Sequence, residues 1–417
     1  MAFTCPNLTK KEALIQELAQ DVQHAPERFP AAPSNAGLAK LKELGTQTWL
    51  DTGNLEEAGK LWKSEMTALT TNNTLANQVV QTGIMDDVMS NAAKKIREVE
   101  PGISAADLVM DVAFIVNCHI ALRLVRAFDV LVSVELHPAI GNDIETTFRY
   151  AQRYYAVNPD RFIVKIPMTP EGFCGVAQSR AVGIPINYTL GFSARQNYLA
   201  AALAHPTYVN VFLGRLNAVV SDNKLGDGKN VGEKVTLASQ QGLIELRTKD
   251  PAHPTYQIAA SMRSGEQMVS LAGLDVYTAP PKAVGEFFAA GYKPEDITNR
   301  IGMNYPVTFA DGVDPKQVEV LWTIDDNFKK FVAQLVSAGG TKLTGDDLRT
   351  ADKDFGTKLF SNFTPAEQEA IRTHGKIPDT AKWAGRASLD DLMTESALQS
   401  FIVDQGALDA RILKEVS

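Results

Sequence analysis

The sequence predicts an α/β protein built on a (β/α)8 (TIM) barrel, with a helical arm before it and a helical extension after it. Two observations carry this. Eight short runs rich in β-branched and aromatic residues (TQTWLD, MTALTT, DVLVSVE, RFIVKIP, PINYTL, YVNVFLG, YQIAAS and DVYTAP) alternate with helix-like segments between about residues 47 and 278. That alternation is the pattern of repeated βα units on a parallel sheet. Their span, closed by a helix near Lys282 to Ala290, matches the roughly 250 residues of such a barrel. An open doubly wound sheet is the alternative arrangement of the same units.

In chain order, residues 1–43 hold KKEALIQELAQDV and AGLAKLKEL, one or two helices forming the arm, and residues 44–290 form the barrel. Within it, Ala105 to Phe128 is the most hydrophobic segment, but Asp107, Asp111, Asn117, His119 and Arg123 interrupt it. A membrane span needs roughly 20 predominantly apolar residues, so a buried helix is expected instead. The polar, glycine-bearing SDNKLGDGKNVGEK (221–234) follows the sixth run and is expected as a mobile βα loop, a candidate lid. It is not a phosphate loop, because no GK[ST] follows its glycines at the required spacing. Residues 291–417 carry helical patterns such as VEVLWTIDDNFKKFVAQLV and PAEQEAIRTHGK, turn residues at Ala338 to Thr341 and few strand signals, and are expected as the helical extension.

The 417 residues, 45% of them apolar, can fill a substantial core. With 41 Lys and Arg against 49 Asp and Glu, the net charge of -8 disfavours non-specific attraction to nucleic acid or anionic membrane, while leaving room for a local basic pocket. Cys5, Cys118 and Cys174 lie far apart with no CxxC pair, which is not the spacing of a disulfide framework or a zinc site, so a reducing cytoplasm is the expected setting. The start, MAFTCPNLTKKEALIQ, lacks the apolar run of about 7 to 15 residues that a secretory signal needs, and no export is expected.

Side chains alternate faces along a strand, so parity separates barrel-facing from helix-facing residues. In RFIVKIP, Phe162, Val164 and Ile166 share one face, and Ile163 and Lys165 share the other, which would put an amine inside the barrel. DVLVSVE likewise turns Leu131, Ser133 and Glu135 inward, against Val130, Val132 and Val134. Asp51 shares parity with Trp49 and Gln47, and Asn187 and Thr189 stand opposite Ile186 and Tyr188. Since the C-terminal strand ends form the site of a (β/α)8 barrel, Asp51, Glu135, Lys165 and Thr189 are expected to converge. Each alone reads as a solvated lysine, a cap or a rim residue, and the joint placement is what points to chemistry. A lysine in an apolar setting is the residue that makes imines, because the free amine must attack a carbonyl.

Arg215 lies just beyond the sixth strand, and Ser261 and Arg263, two apart, share one face at the end of the seventh. Two guanidiniums and a hydroxyl suit a phosphate monoester, and the late strands of a barrel are a frequent phosphate site. The competing reading pairs Arg215 and Arg263 with rim acids such as Asp222 or Glu266. His137 shares a face with Glu135, but one His and one Glu are too few for a metal, and a structural role is expected. Cys118 and His119 are adjacent on a helix and point apart, so they make no dyad.

In that order, LDTGN, TTNNTL, SVEL, IVKIPMTPEG, INYTLGFS, FLGR, AASMR and DVYTAPP resemble the strand-end blocks of the transaldolase family, over roughly residues 45 to 290. The K-I-P-x-T-x-E-G block at Lys165 and the S-x-R block at Ser261 are the specific ones. The resemblance implies metal-free, cofactor-free class I aldol chemistry of the pentose phosphate pathway. A dihydroxyacetone unit would pass from fructose 6-phosphate or sedoheptulose 7-phosphate to an aldose phosphate. It further implies that Lys165 forms the Schiff base, that Asp51 takes the C4 hydroxyl proton, and that Glu135 and Thr189 hold the catalytic water. Asn72 and Asn187 would then bind the dihydroxyacetone part, beside Phe212, with Arg215, Ser261 and Arg263 on the phosphate. Asn73, Asn210 and His137 depart from the residues usual in the family, without removing a reacting group. Fructose 6-phosphate aldolases, the nearest rival, tend to carry glutamine where Glu135 stands and tyrosine where Phe212 stands. A non-catalytic sugar-phosphate-binding barrel is the rival of a different class. Sugar phosphates are the expected partners, with monomer or homodimer left open. The extension carries no assignable motif and would cover the mouth, mediate association or do neither.

Overall fold

Eight parallel strands close into one barrel in chain order: β1 (Gln47–Asp51), β2 (Met66–Thr70), β3 (Leu131–Glu135), β4 (Phe162–Pro167), β5 (Ile186–Thr189), β6 (Tyr208–Phe212), β7 (Tyr256–Ala260) and β8 (Val276–Ala279). They are seen in a computed structural model that describes residues 8–22, 26–252 and 255–417. All eight coincide with the runs read from the sequence, and the closed ring excludes the open doubly wound sheet. Residues 1–7, including Cys5 and the start of the expected non-secretory segment, lie outside the described residues.

Parity holds where contacts test it. Tyr188 points outward, its hydroxyl donating to the Thr169 carbonyl and its ring edge-on to Phe173 of the helix Pro170–Ala181. Its neighbour Asn187 points inward and donates to Ser133 across the barrel at 3.1 Å. Trp49 of β1 meets Tyr208 of β6 edge-on at 4.7 Å, and Thr70 of β2 meets Thr278 of β8 at 2.5 Å. The barrel is therefore a filled core, apolar low down and polar towards its C-terminal end.

The helix Ala105–Phe128 has the length and composition of a membrane span, yet most of it is buried against the helix Lys10–Gln20, against β3 and against the chain's last helix. Two expectations need correction. The segment 221–234 is not a βα loop: Leu213–Asp222 is already a helix after β6, with Leu213, Leu216, Val219 and Val220 buried, and Val231–Lys249 is another. What lies between is a turn joining two helices, and Gly226 pairs there with Phe309. The pattern VEVLWTIDDNFKKFVAQLV is not continuous either. A short helix, Lys316–Glu319, stops, and Asp325 caps a new one, Asp326–Ala338, by accepting from the Phe328 N–H.

After the helix Pro281–Ala290 the extension wraps the outside of the barrel and ends in the helix Leu389–Val416, 28 residues long. Polar contacts fix where this helix runs. Thr394 donates to the Leu190 carbonyl after β5 at 2.9 Å, and Ser400 accepts from Arg215 after β6 at 3.3 Å. Asp404 bonds Thr74 after β2, and Asp409 meets His137 after β3 at 3.0 Å. β6 and β2 lie on opposite sides of an eight-strand ring, and Thr394 to Asp409 is about 22 Å at helical rise. The helix thus crosses the C-terminal mouth along a diameter.

Candidate active site

Register brings the inward polar residues together beneath that helix. Glu135 stands beside Lys165, Lys165 beside Asn187, and Pro167 beside Thr189. Lys165 Nζ is 3.4 Å from Glu135 Oε2 and donates over 3.4 Å to the Thr71 carbonyl. Lys165 is 5% exposed and Glu135 3%. Their contact is electrostatic, since Glu135 Oε2 is buried without a hydrogen-bond partner of good geometry.

Burial pushes the Glu135 carboxyl up to about 7; the charge and pull of Lys165 oppose the rise, and the charge of Asp51 adds to it. Asp51 accepts from the Thr70 hydroxyl at 2.6 Å. Burial raises its carboxyl as well, against the charge of Lys165 and the Thr70 hydrogen bond. Two carboxyls and one amine therefore share a small, water-poor space and feel one another. Thr189 is fully buried, and its hydroxyl has no hydrogen-bond partner.

Below them, Asn187 donates to Ser133 and accepts from Asn210 at 3.1 Å, so one amide proton and one lone pair remain to it. Asn72 caps the helix Asn73–Gln81 by accepting from the Leu75 N–H at 2.9 Å, which leaves its amide NH2. Phe212 ends β6 and packs against Phe192 at 5.7 Å.

The phosphate candidates gather at the ends of β6 and β7, though not for the reason expected. β7 stops at Ala260, and Ser261 has a left-handed backbone (φ 61°), so strand parity does not govern Ser261 and Arg263. Gly214 brings them to Arg215: a Cβ there would collide with the Ser261 carbonyl and the Arg263 side chain, and only glycine allows that approach. Arg263 is exposed, whereas Arg215 is 7% exposed. Burial and the charge of Arg263 pull the Arg215 guanidinium down to about 10, with Asp404 opposing, so it stays charged at neutral pH. Arg215 donates to Ser400 and not to Asp222, and its Nη1 is buried with no partner. His137 accepts from the Ala139 N–H through Nδ1 and meets Asp409 through Nε2. Among the described residues no group of three or more His, Cys, Asp or Glu is arranged to hold a metal, and Cys118 and Cys174 are buried and free.

The sequence reading missed the helix Leu389–Val416. Leu389, Leu392, Met393, Ala397, Phe401, Leu408, Ile412 and Val416 do recur at helical spacing, and that stripe was the available signal.

A closed (β/α)8 barrel with a buried lysine–carboxylate cluster at its C-terminal mouth defines the class. The comparisons with known proteins give the family. A sequence profile of the transaldolase/fructose-6-phosphate aldolase family matches residues 48–341. The chain belongs to that family and is an enzyme of aldolase or transferase type. The transaldolase of Xanthomonas euvesicatoria is 27% identical over 335 residues, covering 76% of this chain and 99% of that protein. That of Chlamydia caviae is 30% identical, covering 52% and 67%. A probable transaldolase of Carboxydothermus hydrogenoformans is 28% identical, covering 60% and 94%. Among solved structures, an IMP dehydrogenase/GMP reductase-like protein from Corynebacterium glutamicum is 11% identical and covers 76% of this chain and 89% of that chain, with a TM-score of 0.32, too low to bear on function.

Proposed function

We propose that the protein is a transaldolase that moves a dihydroxyacetone unit between sugar phosphates through a Schiff base at Lys165. The observation that carries this is the buried Lys165–Glu135 contact at 3.4 Å, beside Asp51, at the end of the barrel where catalysis occurs. The Lys165 amine attacks the ketone of fructose 6-phosphate or sedoheptulose 7-phosphate. Glu135, working through a water that Thr189 also holds, moves the protons needed to form the carbinolamine and expel its oxygen as water. A carboxyl near 7 suits that work, because it both takes and returns a proton at neutral pH.

The protonated imine then draws the electron pair of the C3–C4 bond, while Asp51 takes the proton of the C4 hydroxyl. An aldose phosphate leaves, and the three-carbon enamine stays on Lys165 until an acceptor aldehyde such as erythrose 4-phosphate takes it up. Arg215, Ser261 and Arg263 hold the phosphate, and Asn72 and Asn187 the dihydroxyacetone hydroxyls. Retention of the enamine is favoured over its protonation by water because Phe212, unlike a tyrosine, has no hydroxyl with which to orient water at this mouth.

The test follows glyceraldehyde 3-phosphate release from fructose 6-phosphate with and without erythrose 4-phosphate. Sustained release only with the acceptor is expected. Release without it would make the enzyme an aldolase, and none under either condition would refute the reading.

A further inference from the structure

Arg215 and Ser400 form a donor pair that nothing in the barrel alone would contain. Arg215 Nη2 donates to Ser400 Oγ at 3.3 Å, so the hydroxyl is used there as an acceptor. Its own proton goes to no described residue, and Arg215 Nη1 is buried without a partner. A buried cationic donor without a partner thus adjoins a hydroxyl whose proton no described residue accepts, an arrangement that an anion would complete. Phe212 and Phe401 each lie 5.9 Å from the guanidinium, one ring from the barrel and one from the last helix. The nearby Asp404 opposes an anion by charge, but its carboxylate is engaged by the Thr74 hydroxyl.

We propose that the helix Leu389–Val416 completes the phosphate subsite, with Ser400 donating its hydroxyl proton to a phosphate oxygen of the sugar held by Arg215. This rests on the transaldolase reading for the sugar, though not for the anion. The barrel supplies the chemistry and two guanidiniums; the extension supplies one ligand and closes the subsite from above. Selection for phosphorylated sugars would then depend on a segment outside the barrel.

The experiment compares Ser400→Ala, Ser400→Thr and Ser396→Ala with the wild type in the full chain. Ser396 is one turn away on the same helix and donates instead to the Gly375 and Lys376 carbonyls, so its variant controls for general loosening of the helix. The readouts are the KM for fructose 6-phosphate, the KM for unphosphorylated fructose, and calorimetric binding of inorganic phosphate. Loss of one hydrogen bond to a charged group predicts that Ser400→Ala raises the phosphate Kd, and the ratio of the two KM values, by about 10-fold or more. Ser400→Thr, which keeps the hydroxyl, restores most of this, and Ser396→Ala leaves the ratio as in the wild type. Equal rises in both KM values with unchanged phosphate binding would reduce Ser400 to holding the helix and overturn the proposal. So would a wild type that binds no phosphate. Because phosphate binding is read without turnover, a wild type that binds phosphate but releases no aldose from fructose 6-phosphate would refute the transaldolase reading alone.

Discussion

Glu135→Gln removes a buried carboxyl and puts an amide of the same shape in its place. Burial lifts this carboxyl from 4.5 to about 7. The difference, 7 − 4.5, is about 2.5 units, or about 3 kcal/mol at roughly 1.4 kcal/mol per unit. With the side chain 3% exposed, solvent screens little of it. The sign follows from proton counting. The unfolded chain releases this proton near 4.5 and the folded chain near 7, so between those values the folded state binds more protons and stability falls as pH rises. Below that window the group contributes nothing, and above it the full penalty applies. Glutamine carries no such penalty while keeping a carbonyl oxygen for Lys165. The variant should therefore match the wild type near pH 4 and exceed it by up to about 3 kcal/mol at pH 8, read by urea unfolding across the interval. The activity should move the other way: kcat/KM falls by about 10²- to 10⁴-fold, and the rise in rate with pH near 7 disappears. Unfolding curves that stay parallel from pH 5 to 8 would refute the burial argument, and a surviving pH limb would take the base role from Glu135.

Asp51→Asn should still give a borohydride-trappable adduct on Lys165 but slow aldose release by about 10²- to 10⁴-fold, if, as proposed, Asp51 acts at cleavage and not at imine formation. Loss of the adduct, as expected for Lys165→Ala, would move Asp51 to the earlier step. Arg195→Met should strand a buried carboxylate, since Arg195 grips Asp390 with two bonds of 2.7 and 2.8 Å and Asp390 is fully buried. A loss of about 3–5 kcal/mol is expected in urea unfolding at neutral pH, and one below about 1 kcal/mol would show that the helix start is held by packing instead. Burial pushes the Asp390 carboxyl up, but Arg195 and the Ser388 and Ser193 hydroxyls hold it below the usual range. Its contribution is therefore present above the usual carboxylate range and lost as pH falls below it, so the Arg195→Met deficit should shrink in acid.

What was legible in the sequence follows from period. The side-chain period of two along a strand is rigid, so DVLVSVE, RFIVKIP and PINYTL by themselves turn Glu135, Lys165 and Asn187 towards the barrel interior, where register brings them side by side. Parity ends with the strand, which is why it failed at Ser261, one residue past β7 and in a left-handed conformation. The segment 221–234 was misplaced because its glycines and charges outweighed four apolar residues at helical spacing just before it. The gathering of Arg215, Ser261 and Arg263 depends on the contact at Gly214 between the helix after β6 and the loop after β7, and neither segment's sequence announces the other.

The helix over the mouth was illegible for a further reason, and it ties the extension to the chemistry. Its apolar stripe says that it is buried, not against what. Its place is fixed by Thr394, Ser400, Asp404 and Asp409, which meet groups 185 to 330 residues away in sequence. Polar pairs of this kind carry no periodic signal, and each is weak alone, yet together they pin the helix along one diameter. A barrel mouth open to water would hydrate Glu135 and Lys165 and draw the carboxyl back towards its ordinary range. Both groups lie buried beneath the mouth that this helix crosses, and burial is the main cause that lifts Glu135 to about 7. On the proposed reading, a buried base and a closed phosphate subsite would both depend on the packing of one helix, in a segment that carries none of the family's strand-end blocks.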